Sequence, residues 1–276
     1  MRRWVLAVGL CCLLVLAGCG GTSIGPGETV SPTGEATPTG DGDDTGSTAT
    51  PEPFAYPNGT NASSVTDRTA LYATHAETLG TVSFASNLTQ VVVAGENRSE
   101  ATSLVRSDPA AERAVSSFTV TEPTGVTSAD TFRNGTDRYR RRTVDDRTSY
   151  RVRNATGPFE DFHAQQTGLL RSADRLFQLA RFAGNGTVER DGRRLARYDL
   201  TGINESTVGE NTTITSTDGV LLVDERGVVH RAAVEVRGER DGQRQRLRIE
   251  YRTTATGDVT VDRPEWLSTA EEESGS

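Results

Sequence analysis

Cysteine is nearly absent. The 276 residues contain three, Cys11, Cys12 and Cys19. A chain cut before Cys19 keeps only that thiol, at its N-terminus. The rest has none for a disulfide, a zinc site or a nucleophile. Histidine is as scarce: His75, His163 and His230 stand far apart, with no His-Glu-x-x-His motif. They read as packing or surface residues rather than metal ligands. There is no Gly-x-Ser-x-Gly elbow and no glycine-rich phosphate loop, which removes two signatures of enzymatic chemistry. Lysine is missing altogether, so all 30 basic residues are arginine; methionine occurs once, and aromatic residues make up 6%. Against these arginines stand 38 acids, a formal charge of −8 at pH 7. That balance argues against a nucleic-acid partner. Long apolar runs are lacking too. Residues 4–17 form a short one, below the about 20 residues that cross a bilayer. The expectation is a non-enzymatic chain without metal or cofactor.

What is there begins with that short run. Arg2 and Arg3 precede it, and Leu16-Ala17-Gly18-Cys19 closes it. A charged start, an apolar middle, small residues and a cysteine are the layout of a lipoprotein signal peptide with its lipobox. Residues 1–18 are expected to be removed, with a lipid on the Cys19 thiol. Lipobox cysteines carry a two-chain lipid, and two chains make a stable anchor where one is marginal. The expected location is the extracytoplasmic face of the cell membrane. Arg2-Arg3 before Trp4, Val5 and Leu6 fits either twin-arginine export or a plain basic n-region. Cleavage removes two arginines and no acid, leaving 38 acids against 28 arginines, a charge of −10.

The asparagines carry an independent signal. There are nine: Asn58, Asn61, Asn87, Asn97, Asn134, Asn154, Asn185, Asn204 and Asn211. Each opens Asn-x-Ser/Thr with no proline between, so all nine are candidate N-glycan acceptors on an extracytoplasmic surface. Asn134-Gly135 and Asn185-Gly186 also suit turns. The acidic, lysine-free composition resembles that of secreted haloarchaeal proteins; a GC-rich bacterium is the alternative source.

Residues 19–64 read as a lipid-anchored, disordered stalk, dominated up to about residue 57 by Gly, Thr, Pro, Ser, Asp and Glu. Residues 268–276 read as a disordered acidic tail. Between them, residues 65–267 are long enough for one domain with a sizeable core. Thr66 or Asp67 can cap a first helix ending near Gly80, with Ala70, Leu71 and Leu79 on its apolar stripe. Strand signals follow at 82–93, 113–121, 136–143 and 147–153. A central helix is expected over 165–183, with Pro158 opening the helical region and Gly184 as its stop. Asp191-Gly192 and Asp241-Gly242 then mark hairpins. From Gln243, arginines alternate with Leu247, Ile249 and Tyr251, predicting one apolar and one polar face. A last strand is expected over 258–261. The fold class is α+β: a large curved antiparallel sheet, an open half-barrel, with two or so helices packed on one face.

The order of elements carries a resemblance, together with residues 75–84, 138–153, the Arg190-Asp191-Gly192-Arg193-Arg194 hairpin leading into residues 197–202, residues 223–229 and Arg263-Pro264-Glu265-Trp266-Leu267. It resembles an uncharacterised group of haloarchaeal surface lipoproteins, and the half-barrel lipoproteins of the LolA and LppX–LprG type. The resemblance spans most of residues 65–267 and rests on structural motifs. It implies acyl chains bound between sheet and helices.

On the central helix, Leu169, Leu176, Phe177, Leu179 and Phe182 are candidate cavity-lining residues, although a plain core role explains the same pattern. The run Arg138-Tyr139-Arg140-Arg141-Arg142 fits contact with anionic lipid headgroups; cross-strand pairing with Asp145 and Asp146 explains it more simply. Asp43-Asp44, Asp145-Asp146 and Glu271-Glu272-Glu273 read as solvated charge rather than cation sites. The expected function is an anchored lipoprotein that binds a lipid or other hydrophobic ligand non-covalently. The alternative is a glycosylated cell-envelope interaction module with no ligand cavity.

Overall fold

The computed structural model describes residues 52–204 and 212–274. The signal segment, residues 19–51 of the expected stalk with Cys19, and Asn211 lie outside them.

The first element is α1, Arg68–Gly80. The Asp67 carboxylate accepts from the amides of Thr69 and Ala70, at 2.8 and 3.1 Å. These are two of the donors a helix start leaves without partners. Six strands follow as consecutive hairpins: β1 (Phe84–Ala94), β2 (Asn97–Asp108), β3 (Arg113–Glu122), β4 (Gly125–Asn134), β5 (Asp137–Val144) and β6 (Arg147–Asn154). A helical passage comes next: α2 (Phe159–Gln166), a 3₁₀ segment (Thr167–Ala173) and α3 (Asp174–Leu179). Five more strands complete the sheet: β7 (Ala180–Arg190), β8 (Arg193–Ile203), β9 (Thr212–Asp224), β10 (Val229–Arg240) and β11 (Gln243–Thr256). Helix α4 (Leu267–Ser274) closes the described chain.

The strands form one open sheet in the order β6-β5-β4-β3-β2-β1-β11-β10-β9-β8-β7. Two meanders meet where β1 pairs antiparallel with β11, Leu88 opposite Tyr251. Edge strands β6 and β7 sit at opposite ends of the sheet, so α2, the 3₁₀ segment and α3 form the connection that spans it. The hairpin residues act as their chemistry requires. Asp191 and Gly192 have φ of 51° and 70°, and Asp241 and Gly242 of 50° and 77°. Positive φ at both centres gives a type I′ turn, whose twist matches the flanking strands.

Several expectations differ from the structure. The described end of the expected stalk is ordered against the domain: Phe54 and Tyr56 pack on the main core cluster, and Tyr198 Oη donates to the Asn61 carbonyl at 3.0 Å. The helix expected over 165–183 is broken into α2, the 3₁₀ segment and α3, and it ends at Leu179. Residues from Ala180 onward pair with β8, so Phe182 and Gly184 belong to a strand. Residues 258–261 form no strand, and the segment expected as a solvated tail contains α4.

The largest core cluster joins Leu71 and Tyr72 of α1, Leu170 and Phe177 to alternate residues of the sheet. Those include Leu88, Ala196, Tyr198, Leu221, Val223, Val234, Ile249 and Tyr251. Helix α2 adds Phe159 and Phe162 against Ala114. By strand parity, Ala114 lies on the same face as Leu88. Helix α4 packs on the residues between: Leu267 and Val261 meet Phe132, with Val115, Tyr139 and Trp266 around them. The helices are therefore divided between the two faces, which corrects the expectation that they pack on one: α4 finds Phe132 and Tyr139 on the side away from α1 and α2.

Candidate functional site

Partners in an antiparallel ladder point to the same face, so register alone maps the face that α1 and α2 touch. One row runs Phe84, Ser107, Ala114, Arg133, Arg138, Arg153 from β1 to β6. The next runs Ser86, Val105, Ser116, Thr131, Arg140, Arg151. The third takes in Leu88, Ser103, Phe118, Ala129 and Arg142. The fourth takes in Ala101, Val120, Thr127, Val144 and Arg147. Each row ends at arginine: the first passes from Phe84 and Ala114, the second from mostly hydroxyl side chains, and the third and fourth from mostly apolar ones.

Helix α2 covers the first row. Ser107 Oγ lies 2.7 Å from His163 Nδ1, and the Arg133 guanidinium sits 5.4 and 5.1 Å from the Phe159 and Phe162 ring centroids. Arg133 also donates to the carbonyls of Gly135 and Gly157, at 3.0 and 2.8 Å, so its charge is enclosed. Beyond α2 the face opens. Leu88, Ala101 and Val105 are buried, Phe118, Val120, Thr127 and Ala129 are half-buried, and Val144 is 37% exposed. Ala101, Phe118, Val120, Thr127, Ala129 and Val144 form a mostly apolar shelf on β2–β5, beside Leu88 and Val105, which belong to the core under α1.

The shelf ends at arginines. Arg138, Arg140 and Arg142 of β5 and Arg147, Arg151 and Arg153 of β6 are all exposed. Among the described residues, none of the six has an ion pair. Arg138 faces Arg153 and Arg140 faces Arg151 directly across the ladder. Burial, then the charges of Arg140 and Arg133, lowers the pKa of Arg138. The pairing expected with Asp145 and Asp146 is not what forms. Arg141 alone of the run is paired, with Asp130 at 2.9 Å, on the other face. There it lies 5.5 Å from the Trp266 ring centroid, under the segment leading into α4.

The remaining candidates are placed as follows. Leu169 and Phe182 pack against the main core cluster, and Phe177 is buried within it. These three act as core. The side chains of Leu176 and Leu179 lie outside what is described. Seven sequon asparagines are exposed: Asn58, Asn61, Asn97, Asn134, Asn154, Asn185 and Asn204; Asn87 is half-buried. Among the described residues no group of three His, Cys, Asp or Glu is placed to hold a metal. No described helix is long and apolar enough to cross a membrane.

The histidines are structural. His75 Nδ1 accepts from the Val229 amide at 3.1 Å, which leaves Nε2 to donate to Tyr251 Oη at 3.0 Å. Tyr251 is 3.1 Å from Thr253 Oγ1, which donates to the Val229 carbonyl at 2.8 Å. Burial, then His230, holds the His75 pKa down to about 4, and burial pushes Tyr251 up to about 12. The sequence did contain a signal for His75: it stands midway between Leu71 and Leu79 at four-residue spacing, on the buried stripe.

The opposite face carries two depressions, of about 400 and 360 Å³. Arg190, Arg193, Arg231 and Arg252 line the first; Arg98, Arg246, Arg248 and Arg252 line the second. Most of these arginines are paired, but Arg190 and Arg193 have no ion pair among the described residues. Arg231, Arg248 and Arg252 all reach Glu250, within 2.9 Å, and hold its carboxyl at a pKa of about 2 against the cost of burial. Arg237 and Arg246 share Glu235 at 2.6 and 2.7 Å.

A family model described as a family of unknown function, DUF7537, matches residues 4–270. No curated protein matches the chain. Among solved structures, the Mycobacterium tuberculosis lipoprotein LppX is similar at 12% identity. It covers 71% of this chain and 100% of its own, with a TM-score of 0.32. LprF from Mycobacterium bovis is similar at 11% identity, covering 70% of this chain and 95% of its own, with a TM-score of 0.30. The Pseudomonas aeruginosa MucA/MucB complex gives 15% identity over 70% of this chain and 58% of the matched chain, with a TM-score of 0.24. Likenesses of this size define neither a ligand nor a mechanism.

Proposed function

The chain belongs to the DUF7537 family, and from that premise we propose a membrane-anchored, extracytoplasmic lipoprotein that binds a lipid or other hydrophobic ligand without covalent chemistry. In this reading the open sheet is a half-barrel, with α1 and α2 roofing only part of its inner face. A lipid on Cys19 holds the protein to the membrane, and the exposed sequons carry glycans. The observation that carries the reading is the uncovered shelf, where Phe118, Val120 and Ala129 stay half-buried with no helix residue packed over them in the core clusters. Apolar side chains left open beside a filled core suit an apolar partner.

The shelf spans three strand spacings from β2 to β5, about 14 Å. A chain of about ten methylenes laid on it would bury one side only. At half of the about 0.8 kcal/mol for a buried methylene, it gains about 4 kcal/mol, a dissociation constant near 1 mM. Apolar contact alone makes a weak site. The test is extraction of the purified full chain followed by mass spectrometry of bound lipid. Stoichiometric lipid in the wild type, lost in Phe118→Asp with folding intact, supports the reading; a lipid-free wild type overturns it.

The two depressions on the opposite face favour a second reading, an envelope interaction module whose sheet binds protein or glycan. Arg231, Arg246, Arg248 and Arg252 already hold Glu235 and Glu250, so an incoming acid at these four must compete with carboxylates in place. That competition ranks this reading second.

A further inference from the structure

We infer that the unpaired arginine face of β5 and β6 recognises the phosphate or sulfate of an anionic lipid whose chain lies on the adjoining shelf. This inference rests on the lipid-binding reading above and names its ligand class. Three observations converge on it.

The first is the number of arginines left without a carboxylate. On the opposite face Arg231, Arg237, Arg246, Arg248 and Arg252 hold carboxylates, while the opposed pair Arg190 and Arg193 has none among the described residues. On the β5–β6 hairpin Arg138, Arg140, Arg142, Arg147, Arg151 and Arg153 hold none among the described residues, although the chain as a whole carries 38 acids. Surplus cation on an acidic protein invites an anion from outside.

The second is register. Arg138 opposes Arg153, and Arg140 opposes Arg151. Like charges directly across a ladder are destabilising. Edge protection accounts for charge on β6, since a charged edge resists pairing with another chain. It does not account for β5, one strand further in, where the face is equally cationic. An oxyanion between opposed guanidiniums removes the repulsion, and the planar fork of arginine suits phosphate or sulfate bidentately.

The third is position. Arg142 continues the mostly apolar row of Leu88, Phe118 and Ala129, and Arg140 stands beside it at the end of the row of Val105, Ser116 and Thr131. An amphiphile with its chain along such a row places its headgroup at the arginines.

The test exposes the full chain, solubilised in a neutral detergent, to vesicles of phosphatidylglycerol and phosphatidylcholine in equal parts. The protein is re-isolated and its bound lipid quantified. The expected result is about tenfold enrichment of phosphatidylglycerol, the scale of one charge-assisted contact. Arg140→Ser/Arg151→Ser should abolish the enrichment and leave total lipid unchanged. Phe118→Asp should lose both lipids. Inorganic phosphate, added against a chloride control of equal ionic strength, should displace neither.

Equal uptake of the two lipids by the wild type overturns the headgroup inference and leaves the shelf reading standing. So does enrichment that persists in the double-serine variant. No lipid at all on the wild type overturns the shelf reading. Arginine-dependent binding of inorganic phosphate without lipid identifies a free anion as the ligand and overturns the inference.

Discussion

At the scale of single residues, His75 joins fold to pH. It is fully buried, 1% exposed, and bonded on both ring nitrogens. Its pKa is lowered from 6.5 to about 4, first by burial and then by His230. The unfolded chain therefore takes up a proton below pH 6.5 that the folded chain refuses until near pH 4. Stability from this group is fully present above pH 6.5 and is lost as pH falls toward 4. Between pH 7 and pH 5 the loss is about 2 kcal/mol. Urea unfolding at the two pH values should show it. In His75→Gln, whose amide can still accept from Val229, the difference should shrink to that of the carboxylates and of His163, whose pKa burial also lowers. Glu250, held near pH 2 by its arginines, does not contribute in that window, because its loss runs from pH 4.5 down to 2. A His75→Gln protein with the same pH dependence as the wild type would assign the effect elsewhere.

At the scale of elements, the hairpin β5–β6 trades stability for charge. Arg151→Glu converts a repulsive pair opposite Arg140 into an attractive one. The expected gain is roughly 0.2–1 kcal/mol, read as a higher unfolding midpoint, together with lost preference for anionic lipid. A lower midpoint would show that the opposed arginines are not under strain. This hairpin was partly legible beforehand. The turn at Asp145-Asp146, the flanking strands and the arginine run were all readable from local pattern. Which arginines find partners was not, because that depends on β4 placing Asp130 beside Arg141 and on α4 covering the odd-numbered side of β5. Local turn chemistry likewise announced the hairpins at Asp191-Gly192 and Asp241-Gly242. The helix over 165–183 failed for a long-range reason. Leu169, Ala173, Leu176, Phe177 and Ala180 have helical spacing, yet residues from Ala180 onward pair with β8 to close the second meander, and pairing overrides periodicity. The tail failed in the same way: Leu267 and Ala270 are buried only because β4–β6 offer Phe132 and Tyr139 beneath them.

At the scale of the whole molecule, anchoring and binding are separable by residue. The proposed binding surface lies within β1–β6, and the proposed anchor is Cys19, far from it in sequence. Cys19→Ser removes the only thiol left after cleavage and changes no residue of the sheet. The expected outcome is either release of the protein from the membrane fraction or accumulation of an unprocessed precursor. Unfolding midpoint and phosphatidylglycerol enrichment should be unchanged. Fractionation, intact mass and the vesicle assay read these quantities independently. Unchanged membrane retention with normal processing would remove Cys19 as the anchor and leave the arginine site untouched. Release accompanied by loss of lipid selection would instead mean that the shelf sees lipid only while the chain is tethered. Its weak apolar contact would then depend on the local lipid concentration at the membrane, and the anchor would be part of the binding mechanism as well as the address.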